Sequence, residues 1–304
     1  MQKKRVIGIT FLIICLFLFG YYFFNNLSEF KSIRIVDIYY LIYFFLALSF
    51  NLLLLGWVNK YHLIPFNIKL SFKEWFGLAA VTSFYNVITP FKGGLAVRAA
   101  YLKKKRGLNY AHFLSSLAAL AIIMFIAPCI LGLISLGLLY YFYGIFNWIV
   151  FIIFLISFFV FLSVFIMPKI NSSNKIIVKL NQSIEGWHEI RKNKNVLIKI
   201  FLINIFQIVL SVFAVIFAYK VFGIQLSFIV ALFLVCLGNL GGIISLTPAN
   251  LGFAEAIGVF SAFVVGISPV YSISVSILWR IVHFCIIGIL GPLYSYILLK
   301  HNPK

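Results

Sequence analysis

The sequence predicts an all-α polytopic membrane protein with six full transmembrane helices, two re-entrant helical hairpins and an inverted two-fold internal repeat. Three observations indicate this class. The 304-residue chain is 63% hydrophobic and 10% charged, whereas soluble domains average about 25% charged residues. Its longest polar segment, residues 168–195, is too short for a soluble catalytic domain. Proline and glycine interrupt two apolar regions at matching positions in the two halves.

Six apolar runs have about the 20 residues that a helix needs to cross a bilayer. They are residues 6–24, 37–58, 111–140, 147–167, 200–222 and 270–299. The first run follows Lys3, Lys4 and Arg5, and no small-residue cleavage site comes after it. We therefore predict a retained first span rather than a removed signal peptide.

The first interrupted segment, residues 75–88, is about fourteen residues long and too short to span a bilayer. It ends at Thr89-Pro90, and Gly94 follows shortly after. Proline lacks a backbone donor and clashes with the preceding helical turn, so the helix should stop there. We predict a re-entrant hairpin that enters and leaves the membrane on one side.

The second interrupted segment, residues 239–260, contains Thr247-Pro248, Gly252 and the carboxylate Glu255. Non-helical backbone at membrane depth is tolerated only where protein buries it or where it lines a wet cavity. An ionisable residue at that depth costs about 2.5–3.5 kcal/mol and marks a functional site by default. The alternative is a kinked helix whose glutamate lies near the headgroups.

The two interruptions belong to an internal repeat. The tripeptide LSF at residues 70–72 recurs at 226–228, and the pattern TPxxxG at 89–94 recurs at 247–252. Three predicted spans separate the copies, and an odd number reverses the chain, so the copies should face opposite sides. The predicted halves are residues 1–140 and 141–304 of a single transmembrane domain, 1–304.

The net charge of +19 has a simple cause in a membrane protein, because cytoplasmic loops collect Lys and Arg. With a cytoplasmic N-terminus, 21 of the 25 Lys and Arg residues fall on the inner side. We therefore predict a multi-pass cell-membrane protein with both termini in the cytoplasm and no nucleic-acid partner. Counting each hairpin limb as a span would give seven or eight spans instead.

Charged side chains within the apolar regions are the candidate site. Arg280 and His283 are three residues apart and share one helical face. We predict that Glu255 and Arg280 are partners that line a cavity, since buried charges are tolerated when paired. The alternative is an ion pair that only joins two helices. His283 fits a packing role better than a proton relay.

A second basic group follows the first interruption. Arg98 and the cluster Lys103–Arg106 are predicted to form a cytoplasmic mouth for anionic headgroups, because guanidinium groups suit phosphate. The alternative for the cluster is an anchor on anionic lipids. The complete set of predicted substrate-binding residues is Glu255, Arg280, Arg98, Asn86, Thr89, Pro90, Gly94, Thr247, Pro248, Gly252 and His283. The cysteine and histidine spacings match no metal site, and no cofactor is expected.

The motifs ITPFKGGLAVRAAYL (88–102) and SLTPANLGFAEA (245–256), with the step Trp279-Arg280, resemble the flippase-like transmembrane domain of lysylphosphatidylglycerol synthases. The resemblance covers nearly the whole chain. It implies a protein that moves aminoacylated or glycosylated lipids between leaflets, as a stand-alone member without the transferase domain that some members carry. Arg98, Glu255 and Arg280 match the family pattern.

The chain also departs from the family pattern. Leu95 stands where an acidic residue is usual, residues 120–122 are apolar where a Glu-Arg pair is common, and Ala249-Asn250 replace glycines. These departures imply a different lipid or an impaired member.

The predicted function is therefore translocation of a phospholipid, aminoacyl-lipid or lipid-linked glycan headgroup, with membrane lipids as partners. One alternative is a membrane-embedded lipid or glycosyl transferase. It is less expected, because the chain has only six acidic residues and the one close pair, Glu185 and Glu189, lies in a basic loop. The other alternative is a non-transporting partner subunit of a separate lipid-modifying synthase.

Overall fold

The computed structural model describes residues 20–89, 92–166, 192–242 and 250–300, and the regular structure of these residues is entirely helical. We number ten helices along this part of the chain. They are α1 (Leu27–Ser32), α2 (Ile38–Tyr61), α3 (Phe72–Ile88), α4 (Gly93–Arg106), α5 (Tyr110–Tyr143), α6 (Trp148–Ile166), α7 (Lys194–Val221), α8 (Phe228–Gly241), α9 (Phe253–Val264) and α10 (Pro269–Lys300).

Four of the described helical stretches are long and apolar enough to cross a membrane. They are Ile38–Phe66, Tyr110–Tyr143, Lys194–Val221 and Pro269–Lys300. They match four of the predicted spans, at 37–58, 111–140, 200–222 and 270–299. The predicted span at 147–167 corresponds to the 19-residue helix α6, and residues 6–19 of the one at 6–24 lie outside the described residues. The chain is a polytopic membrane protein.

Polar side chains fix the starts of the helices. Asp37 accepts a hydrogen bond from the Tyr39 amide at the start of α2, and Asn109 does the same for Ala111 at the start of α5. Such caps satisfy amides that have no partner within the helix. Ser227 caps α8 in the same way, as an oxygen acceptor for the Val230 amide.

The long helices pack around one large apolar core. Helix α2 packs along α7, α3 along α10, and α5 along α8. Aromatic rings such as Phe44 of α2 and Phe233 of α8 are fully buried between the helices. At most 39% of the most apolar window of each long helix is buried, so these helices present most of their apolar surface outward. A bilayer accounts for that exposure, since water-soluble proteins rarely expose large apolar patches.

Buried amides join helices across this core. The Asn51 amide donates to Ser211 Oγ at 2.8 Å, and Gln207 Nε2 donates to Asn51 Oδ1 at 3.3 Å, which links α2 to α7. Asn204 Nδ2 donates to the Ile123 carbonyl at 3.2 Å and links α7 to α5. Such contacts from side-chain amides to neighbouring helices are typical of helix packing in membranes.

Helices α3 and α4 form a hairpin that is closed at its base by one carboxylate. Glu74, in the first turn of α3, is fully buried and binds Arg106, the last residue of α4. Arg106 Nε lies 2.8 Å from Glu74 Oε1, and Nη2 lies 2.5 Å from Oε2. The Ser71 amide and the Tyr101 hydroxyl also donate to this carboxylate, at 2.9 and 3.1 Å. The first turn of one limb is therefore joined to the last turn of the other.

The environment of Glu74 favours its charged form. Burial raises the pKa of this carboxyl, but the hydrogen bonds from Arg106 and Ser71 outweigh burial and hold the pKa below the ordinary value of 4.5. A carboxyl with a lowered pKa stabilises the folded state above its unfolded pKa and loses that contribution as the pH falls through its folded pKa. The Glu74 carboxyl lies outside the four helices that are long enough to cross the membrane.

We predict that Glu74→Gln lowers the stability of the detergent-solubilised protein at pH 7 by about 2–3 kcal/mol, because Arg106 loses its charged partner. Below pH 4.5 the wild-type protein should lose its advantage, and the two unfolding temperatures should converge. Glu29→Gln, on the exposed face of α1, is the control and should follow the wild type at each pH. A constant difference between wild type and Glu74→Gln from pH 7 to pH 3 would contradict this role.

Candidate functional site

A cavity of about 950 Å³ lies among α3, α7, α8, α9 and α10. Its size is at the upper end of the range of about 300–1,000 Å³ that is typical of small-molecule sites. Hydroxyl, amide and charged side chains line it together with apolar ones. The acidic and basic lining residues are Lys92, Glu255, Arg280 and His283, and the titratable Tyr219 and Cys285 also line the cavity.

The cavity lies where both hairpins are interrupted. Helix α3 ends at Ile88 and α4 begins at Gly93, whereas α8 ends at Gly241 and α9 begins at Phe253. Lys92 Nζ donates a hydrogen bond to the Gly242 carbonyl at 3.2 Å, so the tips of the two hairpins touch. Pro90 of the first interruption, and Thr247 and Pro248 of the second, lie outside the described residues.

Lys92 and Asn250 have the same unusual backbone conformation at the two interruptions. Their φ angles are 54° and 56°, in the left-handed region that few non-glycine residues adopt. Both residues line the cavity, and each is the second residue after the proline of its Thr-Pro step. The two hairpins therefore present a matching turn to the same space.

The ion pair between Glu255 and Arg280 forms one wall of the cavity. Glu255 lies in the first turn of α9, where its Oε2 accepts the Gly252 amide at 2.7 Å and its Oε1 accepts Arg280 Nε from α10. Gly252 has a φ of 82°, which favours glycine at this position. The Glu255 and Arg280 side chains are 21% and 31% exposed, so both stay accessible from the cavity. The predicted pairing is confirmed.

The residues next to Arg280 show how this part of α10 is placed beside the cavity. Trp279 packs edge to face on the buried ring of Phe44 in α2, with the ring centroids 5.3 Å apart. His283, one turn after Arg280, also lines the cavity. The predicted common face of Arg280 and His283 is therefore turned toward this space.

The first hairpin contributes Asn86 to the lining, whereas Thr89 and Gly94 shape its turn. The Thr89 hydroxyl donates to the Tyr85 carbonyl at the end of α3. A Cβ atom on Gly94 would come within 2.0 Å of the Thr82 carbonyl oxygen and 2.8 Å of Asn86 Oδ1. Only glycine lets α4 approach α3 this closely. Thr89, Gly94 and Gly252 are not among the described lining residues.

Arg98 lies apart from the cavity, in a buried polar cluster between α2, α4 and α5. It is 4% exposed, its Nη1 lies 2.5 Å from Asn59 Oδ1, and its guanidinium covers the Phe113 ring at 5.2 Å. Its Nε and Nη2 atoms have no partner among the described residues. The structure therefore does not bring Arg98 to an open cytoplasmic mouth, because its packing on Phe113 and Asn59 turns it inward.

The cluster Lys103–Arg106 is also partly engaged within the protein. Arg106 binds Glu74, and the Lys103 ammonium lies 4.3 Å from the centroid of the Tyr110 ring. Lys103 and Lys104 remain exposed on α4. In the described part of the chain, no three His, Cys, Asp or Glu side chains come together as a metal site.

Sequence reasoning gave no individual role to Glu74 or Lys92. The pattern Ser71-x-x-Glu74 before an apolar run is a capping-box signature that could have located the first helix start and its carboxylate. Lys92 lies within the repeated TPxxxG pattern, two residues after Pro90, and that position distinguishes it from the basic residues that follow.

Long apolar helices around a cavity that contains charged side chains define a polytopic α-helical membrane protein with a candidate site in its interior. Residues 5–291 match the family described as the lysylphosphatidylglycerol synthase TM region. Because this match covers nearly the whole chain, the protein belongs to that family, and the resemblance seen in the sequence motifs is confirmed. No curated protein matches the chain.

The ion pair gives a prediction on stability. We expect Glu255→Gln and Arg280→Gln each to lower the free energy of unfolding in detergent. The double variant should lose less stability than the sum of the two single losses. The coupling should be about 1 kcal/mol, modest because both groups are partly exposed. Glutamine at position 255 can still accept the Gly252 amide, so the cycle isolates the charge.

The control cycle combines Glu255→Gln with Lys31→Gln, which changes an exposed base on α1. That cycle should be additive within about 0.5 kcal/mol. If the cycle of Glu255 and Arg280 were equally additive, the pair would contribute nothing to folding.

Proposed function

We propose that this protein moves a lipid between leaflets, with the polar headgroup passing through the cavity while the acyl chains stay in the bilayer. The observation that carries the proposal is the cavity of about 950 Å³, with the partly exposed Glu255–Arg280 pair in its wall, inside an otherwise apolar protein. Charged groups at this depth are costly, and a polar substrate gives a reason for them. Family membership supports a lipid-related role.

The helix boundaries support an internal repeat. Helices α2 to α5 have counterparts of the same order in α7 to α10, and corresponding helices begin 156, 156, 160 and 159 residues apart. The two sets of starts are Ile38, Phe72, Gly93 and Tyr110, and Lys194, Phe228, Phe253 and Pro269. The spacing found in the two sequence motifs therefore extends over four helices.

Backbone conformation supports the same repeat. Six of the eight described residues with positive φ form three pairs at offsets of 156, 158 and 159 residues. The pairs are Asn67 and Gly223, Lys92 and Asn250, and Gly107 and Gly266. Repeat-related turns thus share a conformation even where their side chains differ.

Helix packing supports a two-fold arrangement of these halves. The packing of α3 on α10 corresponds to that of α8 on α5, and α2 packs on its own counterpart, α7. Gln207 binds Asn51, which lies 156 residues earlier, at the repeat offset itself. A residue that contacts its own counterpart lies near a two-fold axis.

We infer that the two halves, residues 1–140 and 141–304, have opposite orientations in the membrane. Helices α5, α6 and α7 separate the hairpins, and three crossings reverse the chain. The limbs of the hairpins have 17, 14, 14 and 12 residues, fewer than the roughly 20 that a span needs. In this arrangement six full spans surround two re-entrant hairpins whose interruptions meet at the substrate site.

The lipid would reach the cavity from the side. Ile281 and Phe284 of α10 belong to the cavity wall, and they are 57% and 51% exposed. Exposed apolar residues beside a cavity that contains charged side chains fit a substrate whose tails remain in hydrocarbon while its headgroup enters the protein. Glu255, Arg280, Asn86 and His283 are the headgroup contacts in this proposal, and Arg98 joins α4 of the first hairpin to α2 and α5.

The test is lipid transfer in proteoliposomes that contain fluorescent phosphatidylglycerol. Wild-type protein should expose inner-leaflet label to a membrane-impermeant quencher, and the double variant Glu255→Gln, Arg280→Gln should slow this by about tenfold or more, equivalent to about 1.4 kcal/mol of barrier. The control is Glu29→Gln with Lys31→Gln, which removes one acid and one base from the exposed helix α1.

Unchanged transfer by the Glu255–Arg280 double variant would count against the site. A stable complex with a separate lipid-modifying synthase, without any transfer, would favour the partner-subunit function. Product formed from a lipid donor by the purified chain would favour the transferase.

We further propose a cell-membrane location with both termini in the cytoplasm. In a background with the native cysteines replaced by alanine, a cysteine at Lys31 should react with an impermeant maleimide on intact cells. A cysteine at Lys104, at the base of the first hairpin, should react only after the membrane is opened. Both positions are exposed, so accessibility within the protein does not limit labelling. The reverse pattern would contradict the proposed orientation.

A further inference from the structure

We infer that the cavity selects an anionic phosphodiester headgroup that carries free hydroxyl groups, in preference to a cationic headgroup. This inference rests on the proposed function, since it names the substrate class of the same cavity. It comes from the charges of the lining, which are few enough to count one by one.

The cavity lining has one more cation than it has carboxylates. Apart from His283, the acidic and basic side chains among the described lining residues are Lys92, Arg280 and Glu255. The segments outside the described residues at the two hairpin tips, 90–91 and 243–249, contain no ionisable side chain in their sequences, PF and IISLTPA. These tips therefore leave the excess of one positive charge unchanged.

Glu255 is already committed to partners within the protein. Its Oε1 accepts Arg280 Nε, and its Oε2 accepts the Gly252 amide. A cationic headgroup would have to compete with Arg280 for this carboxylate, because no other described lining residue is acidic. Breaking an ion pair to form another brings little net gain in binding.

Lys92 provides the excess positive charge. Its ammonium is exposed in the structure and has a neutral partner, the Gly242 carbonyl, at 3.2 Å. None of the described carboxylates forms a salt bridge with it. A phosphate oxygen is a stronger partner for an ammonium than a backbone carbonyl, because a hydrogen bond between two charged groups is shorter and stronger. Lys92 can therefore exchange its carbonyl contact for the phosphate of a substrate.

The uncharged part of the lining suits a hydroxylated headgroup. Serine and asparagine side chains on α3, α7, α8, α9 and α10 line the cavity, and they can both donate and accept hydrogen bonds. They include Ser83, Asn86, Asn239, Ser272 and Ser276. Glycerol or sugar hydroxyls need partners of this kind, whereas an ammonium group needs acceptors with negative charge. The arrangement thus places a phosphate near Lys92 and hydroxyl groups along the remaining wall.

The experiment compares three fluorescent lipids with identical acyl chains in proteoliposomes: phosphatidylglycerol, phosphatidylethanolamine and lysyl-phosphatidylglycerol. Wild-type protein should move phosphatidylglycerol about tenfold faster than the lysylated lipid, the ratio that corresponds to one favourable charge interaction. Lys92→Gln should reduce this ratio, and Lys92→Glu should invert it. Lys104→Glu makes the same charge change on the exposed far end of α4 and should keep the wild-type ratio.

Equal or faster movement of the lysylated lipid by wild-type protein would overturn the inference while leaving lipid transfer itself intact. If no lipid moved, the proposed function would fail. Selectivity could still be decided by native mass spectrometry, which measures how much of each lipid the detergent-purified protein retains. Preferential retention of phosphatidylglycerol that Lys92→Glu abolishes would support the inference, and equal retention would overturn it. Soluble glycerol phosphate should not displace the bound lipid. If it did so at equal concentration, the site would bind free phosphate esters, and the inference that its ligand is a lipid would be overturned.

Discussion

The two interruptions of helical backbone lie beside one cavity, and contacts within the protein satisfy polar groups at both of them. Backbone groups that leave a helix at membrane depth need partners in protein or water. Lys92 meets Gly242 between the tips, and the Gly252 amide meets Glu255. The long helices α2, α5, α7 and α10 provide the apolar frame that holds the hairpins in register. The interruptions are thus held by contacts within the protein at the edge of the candidate site.

The two carboxylates of the hairpins have different tasks. Glu74 is fully buried and joins the base of the first hairpin, whereas Glu255 is partly exposed and joins the start of α9 to α10. Both lie in the first turn of a helix and both accept an amide from the residue three positions before them. The same local arrangement therefore closes the base of the first hairpin at Glu74 and leaves a partly exposed carboxylate in the cavity at Glu255.

The sequence was sufficient to predict four of the long helices and the pairing of Glu255 with Arg280, since continuous apolar runs and isolated charges are strong signals in a membrane protein. It was insufficient for Arg98, Lys92 and Glu74. In a segment rich in Lys and Arg, the positive-inside bias explains every basic residue equally well, so the sequence does not distinguish their roles. Only the tertiary contacts do. Arg98 faces inward onto Phe113, Lys92 reaches a carbonyl 150 residues away, and Arg106 finds a carboxylate 32 residues before it.

The contact between the hairpin tips has a mechanical consequence. A single exposed hydrogen bond, from Lys92 to Gly242, contributes only about 1 kcal/mol, which is comparable to thermal energy. Thermal motion can therefore break this contact, whereas the ion pair between Glu74 and Arg106 holds the base of the first hairpin together. The first hairpin is thus held firmly at its base and weakly at its tip.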